Sequence, residues 1–151
     1  MKIAIATDHN GFEKKEEIIR FLQSKKIDVT DITLSNDKND DYPLYAFKVG
    51  ELVSKKVVDA GILLCGSGIG MSIAANKVKG IRAAHVSSLD EARLSKEHNN
   101  ANIIAMSAKT NNIDELKNMI ESYLNAEFKY EERHVRRNNQ IMKYELGEID
   151  V

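Results

Sequence analysis

Short apolar segments alternate with amphipathic segments along the whole chain, and this alternation restricts the fold more than any other feature. The apolar segments are predicted strands at residues 2–7, 27–32, 58–65, 81–86 and 103–106. The segments that follow them are predicted helices at residues 11–25, 43–56, 70–78, 88–97 and 112–125, and a last helix is predicted at 131–145. Because a helix follows each strand, the strands are expected to run parallel, with both sheet faces covered. The sequence therefore predicts an α/β fold. It would be a three-layer αβα sandwich with a Rossmann-like, five-stranded parallel sheet and a C-terminal helix.

The composition narrows the class of protein. With 151 residues, the chain is expected to form a single domain over 1–151. The 22 basic and 23 acidic residues give a net charge of −1, which argues against nonspecific binding to nucleic acid or to a membrane surface. A single cysteine cannot form an internal disulfide, and no apolar run approaches the ~20 residues of a membrane span. We therefore expect a cytoplasmic protein that binds neither nucleic acid nor membrane.

Two predicted strands end in residues that suit a ligand site. Asp8 and His9 follow the first strand, and the segment Cys65–Gly70 follows the third. In parallel sheets, ligands bind outside the carboxyl ends of the strands, where the chain changes direction. If the first and third strands are neighbours, these two loops face each other.

The segment Cys65–Gly70 is glycine-rich, with Gly66, Gly68 and Gly70 at alternate positions. It does not fit a dinucleotide fingerprint, because Met71 stands where the third glycine would be, and no Walker pattern is present. What remains is a small anion cradle of backbone N–H groups at the start of a helix, or a tight turn that binds nothing.

Three candidate residues each allow two interpretations. Cys65 is either a small buried apolar residue or a thiol whose ionised form the following helix favours. Asp8 and His9 are either a turn cap beside a surface histidine or an acid–base pair at the mouth of the crevice. His98 precedes an asparagine-rich turn, so it either ends a helix or exchanges protons near neutral pH.

The strongest basic feature lies near residue 133. Arg133 and Arg137 are one helical turn apart and can together bind a phosphate dianion. Glu131 and Glu132 stand just before them, so a charge network within the helix is the alternative. The run Glu13–Glu17 is expected to be a solvated helix face. No metal site is expected, because the four histidines are scattered and one cysteine cannot anchor zinc.

The order and spacing of these motifs resemble the ribose-5-phosphate isomerase B family, over roughly residues 2–142. The group also contains allose-6-phosphate isomerase and the galactose-6-phosphate isomerase subunits. The matching motifs are Asp8-His9-x-Gly11-Phe12, Asp41-Tyr42-Pro43-x-Tyr45-Ala46, Gly61-Ile62-x-x-Cys65-Gly66-Ser67-Gly68-x-Gly70, Ile73-Ala74-Ala75-Asn76-Lys77, Gly80-Ile81-Arg82-Ala83, Glu97-His98-Asn99-Asn100-Ala101-Asn102 and Arg133-His134-x-x-Arg137.

The resemblance implies a cofactor-free aldose–ketose isomerisation of a phosphosugar through a cis-enediol or enediolate. Cys65 would be the base that moves the proton between C2 and C1. In a second branch of the family, a glutamate at the position of Met71 does this instead, and the cysteine is absent. This chain has the cysteine and Met71, so it matches the cysteine branch.

The resemblance also implies roles for the other motif residues. Backbone N–H groups from Gly66 to Gly70 would stabilise the enediolate oxygen, and Ser67 would bind the reacting hydroxyls. His98 would help open the furanose ring, Asp8 would bind sugar oxygens and Tyr42 would lie beside the sugar. His9, Arg133 and Arg137 would hold the phosphate, with His134 nearby. His98, Asn99 and Lys109 would reach into a partner's site, so a homodimer with shared active sites is expected; whether dimers pair into tetramers stays open.

Some positions depart from the family pattern. Relatives usually have Gly-Gly where this chain has Glu131 and Glu132, a valine or isoleucine at Asn138, and often an arginine at Lys109. These changes concern phosphate binding and therefore substrate length. Ribose 5-phosphate is the expected substrate. A six-carbon phosphosugar such as allose 6-phosphate or galactose 6-phosphate, or a noncatalytic phosphosugar-binding module, are the alternatives.

Overall fold

Five parallel strands form one sheet between helices, as the alternation predicts. The structure is a computed structural model that describes residues 1–33 and 35–151. The sequence also predicts a polar loop at 33–41, between the second strand and the second helix, and position 34 of this loop lies outside the described residues. The strands are β1 (Lys2–Thr7), β2 (Asp28–Asp31), β3 (Ala60–Cys65), β4 (Ala83–His85) and β5 (Ile103–Ser107). The helices are α1 (Phe12–Ser24), α2 (Tyr42–Ser54), α3 (Ile69–Ala75), α4 (Leu89–Asn99), α5 (Ile113–Leu124) and α6 (Glu132–Glu145).

The strand order is β2-β1-β3-β5-β4, and all four strand pairs are parallel. Strands β1 and β3 are therefore neighbours, which confirms the condition under which the loops after them face each other. The chain adds β2 on one side of β1 and β3 on the other, so the direction of winding changes between β1 and β3. This change of direction opens a crevice at the carboxyl ends of these strands.

Alternate side chains of the strands enter two separate cores. Ile62 and Leu64 pack with α1, α4 and α5, whereas Leu63 and Cys65 pack with α2 and α3. This alternation is the two-residue period of a strand. The Cys65 side chain thus belongs to the α2–α3 side of the sheet.

Strand β4 is shorter than the predicted 81–86. The backbone N–H of Arg82 donates to Asn102 Oδ1 at 2.8 Å, and that of Ala83 donates to Asn76 Oδ1 at 2.8 Å. Asparagine side chains thus satisfy donors that a longer strand would direct into the ladder. Short edge strands also limit unwanted pairing with other chains.

The predicted solvated face at Glu13–Glu17 is wrong at Lys15. This lysine is fully buried, and its Nζ donates to Asp31 Oδ2 at 2.6 Å and to the carbonyl of Thr33. A buried ammonium is tolerated only when it is paired and hydrogen-bonded, as here. Lys15 therefore joins α1 to the end of β2.

Side-chain capping fixes the starts of two helices. Ser88 Oγ accepts from the backbone N–H of Glu91 at the start of α4, and Asn112 with Glu115 forms a capping box at the start of α5. In the described part of the chain, no helix combines the length and apolar character needed to cross a membrane.

Candidate active site

The loop after β3 holds the cysteine under a backbone donor. Cys65 is 5% exposed, and the Gly68 N–H lies 3.0 Å from its Sγ. The Ile69 N–H is 3.3 Å from Ser67 Oγ. An N–H directed at sulfur favours the thiolate over the thiol. Two N–H groups of the loop are thus satisfied within it, as in a tight turn, and one of them faces the thiol.

Gly68 is required in this loop by both its conformation and its neighbours. Its φ is +79°, and a Cβ here would stand 2.7 Å from the carbonyl carbon of Met106. A positive φ disfavours other residues, and the backbone of β5 cannot move aside. A glycine thus lets the loop turn tightly onto β5.

Two further N–H groups of this loop remain available for a ligand. The structure shows no acceptor for the Ser67 N–H among the described residues, and Gly70 occupies the first turn of α3, where N–H groups lack intrahelical partners. Ser67 is exposed and Gly70 is half-buried. Donors fixed beside a thiol can stabilise an oxyanion that forms there.

Asp8 follows the end of β1 and lies beside Cys65, the last residue of the neighbouring strand β3. Thr7 is in register with Leu64, and the Asp8 N–H donates to the Leu64 carbonyl at 3.2 Å, so Asp8 and Cys65 are the next residues along neighbouring strands. Such strands lie about 4.8 Å apart. Both Asp8 oxygens accept from Asn10, from its backbone N–H at 2.9 Å and its Nδ2 at 2.9 Å. Asp8 is thus both a turn former and a carboxylate at the crevice.

Tyr42 closes one side of the loop from the start of α2. A Cβ on Gly70 would stand 2.6 Å from the Tyr42 hydroxyl oxygen, so the phenol ring rests directly on this glycine. Pro43 follows in the first turn of α2, where a missing N–H costs nothing. The glycine at position 70 therefore makes room for Tyr42 beside the loop.

His9 is held by an acidic residue from the polar loop. Its Nδ1 lies 3.1 Å from Asp40 Oδ1, and the Asp40 side chain is only 3% exposed. The other Asp40 oxygen is buried and has no hydrogen-bond partner among the described residues. Asp40 accepts a hydrogen bond through Nδ1 and so leaves Nε2 of the half-exposed His9 ring available for a ligand.

A second side of the loop faces β4 and β5. A cavity of about 590 Å³ is lined in part by Ser67, His85 and Lys109. Ser107 Oγ donates to the Gly66 carbonyl at 2.7 Å, and the Lys109 N–H donates to it at 3.3 Å. The Lys109 side chain lies 3.5 Å from the position of a Cβ on Gly66. The resemblance assigned this cation to a partner's site, whereas the structure brings it beside the loop of its own chain.

A second cluster of predicted residues lies between α4 and α6. The rings of His98 and His134 are stacked, with centroids 4.3 Å apart and planes at 11°. Asn138 Nδ2 donates to the His98 carbonyl at 2.8 Å and to the His134 carbonyl at 2.8 Å. His98 is half-buried and the neighbouring Asn99 is exposed, so both present polar atoms at the surface.

Arg82 fixes the turn that carries this cluster. Its Nε donates to the carbonyls of Asn99 and Asn100 at 3.1 Å each, and its Nη2 to the Asn100 carbonyl at 2.9 Å. Cations at a helix C-terminus satisfy the last carbonyls and complement the dipole. Burial lowers the pKa of this arginine, and a guanidinium stays charged nonetheless.

His134 is buried within its own chain, between α6 and the ring of His98. The residue is 5% exposed, and its Nε2 has no hydrogen-bond partner among the described residues. Burial lowers its pKa, and the nearby His98, Arg133 and Arg137 lower it further, while Glu131 acts in the opposite direction. The protein around His134 thus disfavours its charged form, and the ring packs against that of His98.

The two arginines of α6 differ in their partners. Arg133 Nη2 lies 2.9 Å from Glu131 Oε2, so the charge-network alternative holds for this residue. Arg137 is exposed, and no acidic partner lies within ion-pair distance in the described part of the chain. Arg137 is thus free to bind an anion, whereas Arg133 would bind one while still paired with Glu131.

The predicted residues fall into two groups at opposite edges of the sheet. Cys65 ends β3 at the carboxyl edge, but His98 ends α4, which returns to the amino edge, where Asn102 bonds the N–H of Gly61 at the start of β3. The 11 residues of α4 span ~16 Å. Within one chain the structure brings together Asp8, His9, Tyr42, the loop Cys65–Gly70 and Lys109, and separately His98, Asn99, Arg133, His134 and Arg137.

Several contacts of the first group were missed by sequence reasoning. They come from Asn10, Asp40, His85 and Ser107. His85 and Ser107 end β4 and β5, so the rule that ligands bind at carboxyl ends of strands could have found them. Asp40 had no such signal in a run of polar residues. The described residues hold no group of His, Cys, Asp or Glu that could bind a metal ion.

Comparison with known proteins identifies the family of this chain. The model of the family described as Ribose/Galactose Isomerase matches residues 3–141. Ribose-5-phosphate isomerase B of Escherichia coli is 39% identical over 127 residues, covering 84% of this chain and 85% of that protein. The structure of Clostridium thermocellum ribose-5-phosphate isomerase B has a TM-score of 0.94 at 41% identity, over 97% of this chain and 99% of that one. That of the Mycoplasma genitalium ribose-5-phosphate isomerase B with bound ribulose-5-phosphate has a TM-score of 0.92 at 41% identity, over 96% of each chain.

Proposed function

As a member of the ribose/galactose isomerase family, this chain is an aldose–ketose isomerase that interconverts ribose 5-phosphate and ribulose 5-phosphate, and we propose that Cys65 is its base. The observation that carries the proposal is the Gly68 N–H, 3.0 Å from Sγ. This donor stabilises a thiolate at the crevice. Met71, the alternative position for a base, is fully buried and cannot accept a proton.

The reaction moves one carbon-bound proton and leaves no net change in oxidation of the sugar. The Cys65 thiolate takes the proton from C2 of the open-chain aldose, and the C2 electron pair forms the enediolate as the C1 carbonyl gains negative charge. The Cys65 thiol then returns a proton to C1, while a hydroxyl proton passes from O2 to O1. Since hydrogen moves as a proton, no redox cofactor is needed. Positioned acid–base groups contribute about 10²–10⁴ in rate.

The N–H groups of Ser67 and Gly70 stabilise the enediolate oxygen. Both are fixed in the loop before the reaction, so no reorganisation is needed when charge develops. Ser67 Oγ binds the reacting hydroxyls, Asp8 accepts hydrogen bonds from sugar hydroxyls, and Tyr42 lies beside the sugar. His9 Nε2 faces the phosphate, and Asp40 holds the ring through Nδ1.

We further propose that each active site takes its second group of residues from another copy of the chain. The support is the separation of Cys65 and His98 to opposite edges of the sheet. In a homodimer, His98 of one copy would open the furanose ring at the other copy's Cys65. Asn99, Arg133 and Arg137 would enter with it and bind the substrate and its phosphate. Lys109 remains in its own chain's cavity and acts on the substrate from there.

The site of action is proposed to be the cytoplasm. The support is a single cysteine that has no disulfide partner and must stay reduced to act as a base.

The test of the base uses Cys65→Ala and Cys65→Ser. In deuterated buffer, the wild type should place solvent deuterium at C1 of the product during turnover. Both variants should lose this exchange and at least ~10³ of kcat, because neither a methyl nor a hydroxyl is a base near pH 7. Binding of the phosphosugar should persist in calorimetry. Unchanged turnover in Cys65→Ala would exclude this residue as the base.

The test of the shared site uses two inactive variants with different affinity tags. Cys65→Ala and His98→Gln are coexpressed, and the mixed dimer is purified on both tags. If sites are shared, one site of this dimer lacks both residues and the other is intact, so about half of the wild-type activity returns. If each site lies within one chain, the mixed dimer stays inactive.

A further inference from the structure

His85 has no role in the mechanism above, although it touches the loop Cys65–Gly70. Its Nε2 lies 2.9 Å from the carbonyl oxygen of Ser67. A carbonyl can only accept a hydrogen bond, so Nε2 carries the hydrogen. The His85 ring also packs on the loop, since its Cδ2 lies 3.0 Å from the position of a Cβ on Gly68.

The peptide unit between Ser67 and Gly68 links this histidine to the cysteine. Its carbonyl accepts from His85, and its N–H donates to Cys65 Sγ at 3.0 Å. The unit is trans, because the described residues contain no cis peptide bond. In a trans peptide the C=O and N–H point in opposite directions. Holding the carbonyl on the β4 side therefore directs the N–H at the sulfur.

This peptide unit needs an external restraint. Gly68 accepts both signs of φ, so a peptide plane that precedes it can rotate at little steric cost. The His85 backbone is held in the ladder between β4 and β5, opposite Ala105. A side chain anchored in the sheet can thus keep a glycine peptide in a single orientation.

We propose that His85 is a positioning residue for the reaction: through the Ser67–Gly68 peptide it aims the Gly68 N–H at Cys65 and so stabilises the thiolate. A hydrogen bond to the carbonyl also polarises the peptide and strengthens its N–H as a donor. The proposal rests on the proposed role of Cys65 as base. It requires only a donor at Nε2, not a charge on the ring.

Other groups around the loop Cys65–Gly70 must be held constant in any test. Asp8 stands beside Cys65 on β1, Tyr42 approaches from α2, and Lys109 approaches from the turn after β5. Glu91 of α4 lies near the His85 ring and is occupied by Ser87, whose N–H and hydroxyl donate to it at 2.7 and 2.9 Å. None of these groups contacts the Ser67 carbonyl.

The experiment compares His85→Leu, His85→Gln and a control, Gln23→Leu. Gln23 is an exposed polar residue of α1 that lies outside the cavity and the loop, so its variant makes a similar polar-to-leucine change away from the site. Alkylation of Cys65 by iodoacetamide is followed against pH, because its rate reports the thiolate without any substrate. In parallel, kcat and KM are measured against pH by formation of ribulose 5-phosphate, and folding is checked by thermal melting.

His85→Leu should move the midpoint of the alkylation curve to higher pH and lower kcat near pH 7 about fivefold, the value of one ordinary hydrogen bond. The kcat loss should shrink at high pH, where the thiolate forms without help. His85→Gln, whose amide can still donate to the Ser67 carbonyl, should recover most of the effect, and Gln23→Leu should match the wild type.

An alkylation curve for His85→Leu that superimposes on the wild type would overturn the proposal. So would a kcat loss that is equal at every pH, because a purely structural defect would behave that way. Failure of the base assignment is separate: it would appear as activity in Cys65→Ala, while the alkylation data would still report the link between His85 and the sulfur.

Discussion

Replacing Lys15 by methionine should destabilise the fold far more than its place in a charged run suggests. The residue is fully buried on α1, and its Nζ lies 2.6 Å from Asp31 Oδ2 and donates to the Thr33 carbonyl. Thr33 in turn bonds both the N–H and the carbonyl of Thr7, the residue before Asp8. Methionine keeps the apolar stem of the lysine and removes only the ammonium.

The size of the effect follows from the groups that lose their partner. Breaking a fully buried ion pair from one side costs about 3–5 kcal/mol. The Asp31 side chain is 23% exposed, so water can replace part of the lost interaction. The Thr33 carbonyl, however, lies in a buried residue and loses its donor. We therefore expect Lys15→Met to lower the free energy of unfolding by about 2–3 kcal/mol, or Tm by about 5–10 °C.

Urea unfolding followed by circular dichroism gives this value, with Lys48→Met as the control. Lys48 is an exposed lysine of α2, so its variant should stay within about 0.5 kcal/mol of the wild type. Adding Asp31→Asn to Lys15→Met should recover part of the loss, because the uncompensated charge is then removed while the amide oxygen can still accept from the Thr33 N–H. A Lys15→Met protein as stable as the control, or a double variant as unstable as the sum of the single ones, would refute the reasoning.

Three further outcomes are expected. Gly68→Ala should lower kcat by ~10² or more in the ribulose 5-phosphate assay while the protein still folds. The reason is that a Cβ would meet the Met106 carbonyl carbon at 2.7 Å and that a φ of +79° is strained for alanine. A kcat within twofold of the wild type would contradict this. Asn138→Ala should lower the free energy of unfolding by about 1–3 kcal/mol in urea, because the carbonyls of His98 and His134 lose a shared donor. The lowered pKa of His134 means that the unfolded chain binds a proton more readily there. Stability should therefore be complete above the ordinary histidine pKa of ~6.5 and fall as the pH drops below it, and His134→Gln should flatten this dependence.

The layered fold could be predicted because burial on both faces of the sheet leaves a local mark. Strands such as β3 are apolar at every position, and the helices between them are amphipathic, so the pattern alone predicts βα units. The strand order could not be predicted in the same way. Nothing local to β5 says that it inserts between β3 and β4, since that placement depends on the packing of whole helices.

The residues of the site divide in the same way, into those with a local signal in the sequence and those that depend on distant parts of the chain. Cys65 and Gly68 could be identified from the sequence, because a glycine-rich loop directly after a buried strand is a local signal. Lys15 and Asp40 could not, because each is explained only by a residue 16 or 31 positions away in the chain. Both residues stand in polar stretches of sequence, which predict exposure to solvent. Only the folded sheet brings Asp31 next to Lys15 and His9 next to Asp40.

The topology itself gives a reason why a chain of this kind would work in pairs. In a βα unit the strand delivers residues to the carboxyl edge of the sheet, and the helix returns the chain to the amino edge. Cys65 ends a strand and His98 lies in the last turn of a helix, so the two residues lie at opposite edges of the sheet within one copy. If Cys65 is the base and His98 opens the ring, as we propose, the two act together across an interface between two copies. This separation is the basis for proposing that the activity depends on assembly, and the mixed dimer of Cys65→Ala and His98→Gln tests the proposal directly.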